Sequence, residues 1–114
     1  MKNPPVDNRA ILDALARCIA NCEYCSDACL DEDDIKMMVP CIRFDRDCAD
    51  ICRQLFAYIS RRSPHAKHIL NECIEICQKC HDECAKHQHD HCQQCAKACQ
   101  ECLDACRAYQ AQAA

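Results

Sequence analysis

Between residues 92 and 106 the chain reads Cys92-Gln-Gln-Cys-Ala-Lys-Ala-Cys-Gln-Glu-Cys-Leu-Asp-Ala-Cys106, five cysteines at steps of 3, 4, 3 and 4. That is the spacing of inward positions on a packed helix, so all five thiols share one seam. At the 1.5 Å rise per residue of an α-helix the seam forms a rail of sulfur about 21 Å long. Leucine normally fills such positions. Here the stripe that faces a core carries metal-ligand or disulfide chemistry instead.

The same register recurs along the chain. Cys18, Cys22, Cys25 and Cys29 are spaced 4, 3, 4, and so are Cys73, Cys77, Cys80 and Cys84. A further segment carries Cys41, Cys48 and Cys52; continuing the pattern backward from Cys52 puts Asp45 where a fourth cysteine is expected. An acid on an inner seam is costly unless it is bonded or ligating, so Asp45 either bonds the thiols or a metal, or swings to the helix margin.

With 114 residues and 16 cysteines but 2 Phe, 3 Tyr and no Trp, the chain has too few large side chains for an ordinary core throughout. The 50% hydrophobic content is inflated by Cys and Ala. Residues 1–114 read as a single domain by length. Glycine is absent, which disfavours hairpins and suits long helices joined by polar turns.

Four helical segments follow. Asn3 is expected to cap the first, with Pro4 at its first position; Pro40 is expected to start or kink the second; Ser63 and Pro64 to cap and open the third; Asp90 to cap the fourth. The acidic Asp31 to Asp34 run lacks the alternating ligands, central Gly and final Glu of a calcium loop and reads as a solvated connector. The predicted fold is all-α, an up-down-up-down antiparallel four-helix bundle with a cysteine-lined core.

In that topology Leu15, Leu55, Ile59, Leu70 and Tyr109 close one end with apolar packing. Met37, Met38, His87, His89 and His91 gather at the other, beside Cys29, Cys41, Cys84 and Cys92. His87 and His91 are candidate ligands at this mouth, and Met38, which fits the seam, is a better candidate than Met37. His65, His68 and His81 read as solvated.

The net charge of −4, with 14 basic residues spread among 18 acids, gives no footprint for nucleic acid. The start of the chain lacks the apolar core of a signal peptide, and no apolar run reaches membrane-spanning length. The expectation is a cytoplasmic protein, in which reduced thiols are the norm and a disulfide framework is disfavoured.

Among metals, charge counting favours Cu(I). Each Cu(I) that replaces a thiol proton leaves the interior neutral, so about one ion per cysteine can be loaded if thiolates bridge neighbouring ions. A zinc site of four thiolates buries two uncompensated negative charges. Iron–sulfur clusters draw on free backbone N–H groups, which helices have already used. Zinc and iron–sulfur stay as alternatives. No thiol is singled out beside a base as a nucleophile requires, so the chain does not read as an enzyme.

The segment Cys41-Ile-Arg-Phe-Asp-Arg-Asp-Cys-Ala-Asp-Ile-Cys52 and the run from His87 to Cys106 resemble the bacterial copper storage proteins, and the likeness extends over nearly the whole chain. The resemblance implies storage of multiple Cu(I) ions by inward cysteines, a cytosolic setting and a homotetramer of bundles. It carries ligand roles onto all 16 cysteines: Cys18, Cys22, Cys25, Cys29, Cys41, Cys48, Cys52, Cys73, Cys77, Cys80, Cys84, Cys92, Cys95, Cys99, Cys102 and Cys106. It also matches Asp45 to the acid of a Cys-x3-Asp-x2-Cys pattern near the outermost coppers, and His91 to the His before the first cysteine of the last helix.

Overall fold

The computed structural model describes residues 7–113. Four helices account for almost all of them: α1 (Arg9–Cys29), α2 (Ile35–Ser60), α3 (Ala66–Cys84) and α4 (Asp90–Ala113). Each packs along its neighbours in the cyclic order α1, α2, α3, α4, while the diagonal partners do not lie side by side among the described residues. Connectors at 30–34, 61–65 and 85–89 are too short for anything but antiparallel neighbours. This is the predicted bundle.

The helix ends differ from expectation in detail. Asn3 and Pro4 lie outside the described residues, and α1 begins at Arg9. Helix α2 starts at Ile35, so Pro40 falls in its second turn rather than at its start. There it deletes only the hydrogen bond to the Lys36 carbonyl, and both residues are exposed, leaving that carbonyl to water. Helix α3 starts at Ala66, two residues beyond Pro64. The cap position is therefore His65 and not Ser63; Ser63 instead closes the turn before the helix, its Oγ accepting from His65 N–H at 3.2 Å and its carbonyl from Ala66 N–H at 3.1 Å. Asp90 is the first residue of α4 rather than the cap before it, where its charge still complements the helix N-terminus.

The end of α2 solves a problem that a chain without glycine must meet. Ser63 N–H bonds the Tyr58 carbonyl at 2.9 Å and Arg62 N–H the Ile59 carbonyl at 3.0 Å, the paired bonds of a Schellman cap. That cap needs a left-handed residue at its centre, and Arg62 supplies it with φ of 54°.

Along the bundle axis the interior changes character. At the end where α1 starts and α4 finishes, Ile11, Leu15, Leu55, Ile59 and Leu70 are buried and Tyr109 packs against them. Each such aliphatic side chain contributes about 1.5–3 kcal/mol by leaving water. Beyond this plug the interior is dominated by sulfur, interrupted by the fully buried Asp45 and Met38: all 16 cysteines are fully buried. No described helix is long and apolar enough to cross a membrane.

Candidate metal centre

The 3/4 spacing puts one column of thiols on each of α1, α3 and α4 and a shorter one on α2, and bundle packing turns the columns toward one another. Successive thiols on a helix stand close: Cys18 and Cys22 at 3.9 Å, Cys48 and Cys52 at 3.9 Å, Cys73 and Cys77 at 3.8 Å. Thiols on different helices stand equally close, as with Cys18 and Cys48 at 3.7 Å and Cys52 and Cys73 at 3.7 Å. Separation within a helix and between helices is therefore the same, which makes the sulfurs a continuous lattice rather than isolated pairs.

Sets of four sulfurs lie within 4.8 Å of one another, and successive sets share members. Cys52, Cys73, Cys77 and Cys102 share two thiols with Cys18, Cys48, Cys52 and Cys77; that set shares two with Cys18, Cys22, Cys48 and Cys99; and that one two with Cys22, Cys80, Cys95 and Cys99. Cys106 extends the lattice toward the plug through Cys73 at 3.9 Å. At the histidine end Cys25, Cys29, Cys41 and Cys92 form another set.

Asp45 stands between the mouth set and the inner series. It is fully buried; its Oδ1 accepts from Cys80 at 3.2 Å, Cys84 at 3.3 Å and Cys95 at 3.2 Å, and its Oδ2 from Cys41 at 3.6 Å. The side chain points into the seam and does not swing to the helix margin. Burial, followed by the charge of Cys95, pushes its carboxyl up to about 8. Removal from water holds the Cys92 thiol up to about 12, with Cys29 adding to the effect, and raises Cys29 as well. Both thiols are thus held in the protonated form near neutral pH.

The mouth lies where two connectors meet the ends of the helices. His91 Nδ1 faces Cys25 Sγ at 3.3 Å, Cys92 Sγ at 3.5 Å and Cys29 Sγ at 4.0 Å. Met38 is fully buried at this end, while Met37 is 67% exposed. His87 lies on the connector after α3, its Nε2 2.9 Å from Glu83 near the end of that helix; α3 stops at Cys84, so the ring does not continue the thiol column. His65 and His68 are exposed at the other end, and His81 is partly exposed beside Asp82.

A thiolate–metal bond of about 2.3 Å puts sulfurs about 4.0 Å apart in a trigonal site and about 3.8 Å apart in a tetrahedral one. The thiol lattice fits either. Charge decides between them, because apart from the cysteines Asp45 is the one ionisable side chain buried among the described residues, and it is an acid. With no buried cation, a monovalent soft ion that matches each lost proton suits the interior, and a series of zinc tetrathiolates does not.

The family model described as copper storage protein matches residues 6–111. The chain belongs to the copper storage protein family. The uncharacterized cysteine-rich protein YhjQ of Bacillus subtilis is 42% identical over 86 residues, which cover 75% of this chain and 80% of that protein. The Cu(I)-bound copper storage protein BsCsp3 superposes with a TM-score of 0.85 at 42% identity, covering 89% of this chain and 95% of that one. A cytosolic copper storage protein from Streptomyces lividans, in a structure described as copper loading with five coppers, gives a TM-score of 0.87 at 38% identity, covering 90% and 91%. Buried cysteine sets in this member of the copper storage family therefore occur in the setting in which relatives hold several Cu(I) ions, and nothing in them favours zinc or an iron–sulfur cluster.

Sequence reasoning placed His89 at this end but missed Glu32 and Asp34, the acids that hold the histidines there. Their partners are 55 to 59 residues away in the chain, and no local pattern signals such a pairing.

Proposed function

We propose that residues 1–114 form one cytosolic domain that stores many Cu(I) ions on its 16 inward cysteine thiolates, with entry at the histidine end. The observation that carries this reading is the sharing of thiols between successive four-sulfur sets. Shared thiolates bridge ions, and bridging is what lets the number of ions approach the number of sulfurs. Each ion that enters releases a thiol proton, so a fully loaded interior gains no net charge.

In this reading Asp45, His91, His87 and Met38 serve the outer ions. Asp45 already contacts thiols of both the mouth set and the inner series, and His91 turns a ring nitrogen toward three mouth thiols. Met38 offers a buried soft thioether. Copper is cargo and the protein is not an enzyme. Although His91 lies beside Cys25, that thiol is fully buried and shares the ring with Cys29 and Cys92, unlike an activated nucleophile open to substrate.

The bundle assembles as a homotetramer in this proposal, an expectation carried by the family resemblance. Exposed Tyr24, Leu30, Met37 and Phe56 supply apolar surface that association would cover, and sedimentation equilibrium tests it.

The deciding experiment is an anaerobic titration of fully reduced protein with Cu(I) against a coloured chelator. Uptake of about one ion per cysteine before the chelator takes any supports storage; saturation near one ion per four cysteines would mean discrete tetrahedral or cluster sites and would end the storage reading. Asp45→Ala and His91→Ala should change the rate of copper uptake or loss more than the total held. Transfer rates to a chelator that stay unchanged in both variants would remove them from the entry route.

A further inference from the structure

The two connectors at the histidine end are tied together by one carboxylate. Glu32, on the connector between α1 and α2, places Oε2 at 2.7 Å from His91 Nε2 and at 3.0 Å from His89 Nδ1. His89 is held in turn by Asp34, whose Oδ1 lies 3.2 Å from His89 Nε2. The two rings stack with centroids 5.5 Å apart and planes inclined by 2°. His91 is 11% exposed at its side chain and Glu32 27%, so the contact is largely shielded from solvent.

Donor and acceptor chemistry gives this arrangement a direction. A carboxylate only accepts hydrogen bonds, so the His91 nitrogen that faces Glu32 carries the hydrogen. In the neutral ring the other nitrogen, Nδ1, then holds a free lone pair. That is the atom 3.3 Å from Cys25 Sγ and 3.5 Å from Cys92 Sγ. Carboxylates that bind the far nitrogen of a metal-ligating histidine fix its tautomer and orientation in the same manner.

We propose that Glu32 is the positioning residue of the copper mouth: clamped by His89, it holds His91 with Nδ1 aimed at the Cys25 and Cys92 thiols, so that the first ion meets a preset nitrogen beside sulfur. The uptake part of this inference rests on the storage reading; the orientation part does not. Glu32 does not itself touch the thiols in this scheme, and its effect is exerted through the His91 ring.

The test combines His91 side-chain NMR of the reduced, metal-free protein with uptake of limiting Cu(I) from a chelator, in wild type, Glu32→Ala, Glu32→Gln and Asp33→Ala. Asp33 is exposed on the same connector, and Asp33→Ala removes the same charge without the His91 contact. The wild type and Glu32→Gln, which keeps an acceptor, should show a single His91 tautomer with a protected Nε2 proton. Glu32→Ala should lose that proton signal and take up its first copper about tenfold more slowly or worse, while Asp33→Ala should match wild type. A Glu32→Ala protein with the wild-type His91 signal, or with wild-type uptake, would overturn the proposal, as would equal slowing by Asp33→Ala, which would assign the effect to overall charge. A wild type that takes up no Cu(I) would defeat the storage reading, and the His91 signals would still decide the positioning role.

Discussion

Cys95 Sγ donates to Asp45 Oδ1 at 3.2 Å, a hydrogen bond that crosses the diagonal of the bundle from α4 to α2. The helices on that diagonal do not pack side by side, so the contact exists only because Asp45 reaches the axis. A fourth cysteine in the column would have placed sulfur there. An oxygen acceptor instead gathers thiols from α2, α3 and α4 around one carboxyl group.

This carboxyl makes stability depend on pH in an unusual direction. Its pKa is raised from 3.8 to about 8 in the folded protein. Between those values the folded chain keeps a proton that the unfolded chain has released, so stability falls as pH rises. The slope contributed is about 1.4 kcal/mol per pH unit across that window, flattening above the folded pKa. Denaturant midpoints of the reduced, metal-free protein from pH 5 to 8 should decline accordingly, and Asp45→Asn should remove that part of the decline. Parallel curves for the two proteins would show that Asp45 is ionised throughout.

Ile59 belongs to the apolar plug, 1% exposed and two turns beyond the last cysteine of α2. Ile59→Ala should lower stability by about 2–5 kcal/mol, the transfer loss plus the cavity it leaves. Copper capacity should not change, since no ligand is touched. A loss of bound copper without a loss of stability would mean that the plug and the metal lattice overlap.

Arg62 occupies the left-handed centre of the Schellman cap with φ of 54°. A residue with a Cβ gives up about 1–2 kcal/mol in that conformation, part of which glycine returns to the flexible unfolded chain. Arg62→Gly should therefore raise the denaturation midpoint, by about 0.5–1 kcal/mol in net stability. A lower midpoint would assign the arginine side chain a contact worth more than the strain.

The cysteine columns were legible in the sequence because their 3/4 steps are a property of one helix at a time. Asp45 was visible as the odd member of its column, and its burial follows from the same register. Its four thiol partners were not visible, because three of them come from α3 and α4. The helix starts near Pro40 and Pro64 were misplaced for a different reason: proline is tolerated early in a helix, so it marks the neighbourhood of a start and not the first residue. Asp31 to Asp34 looked like a solvated connector, and the exposed Asp31 and Asp33 fit that description. Asp34, about half exposed, fits it too, although it also meets His89; Glu32, more shielded, does not, since it meets His89 and His91 only after the bundle has brought its two connectors to one end.

The plug at one end of the bundle gives the store an order in time. With entry at the histidine end as proposed, a column of sites sealed by aliphatic side chains at its base should fill as a stack, early ions deepest and late ions nearest the exit. On withdrawal the newest ions should then leave before the oldest. Successive loading with two copper isotopes and partial extraction by a chelator should thus return mostly the second isotope, giving the protein a chemical record of the sequence in which it was filled.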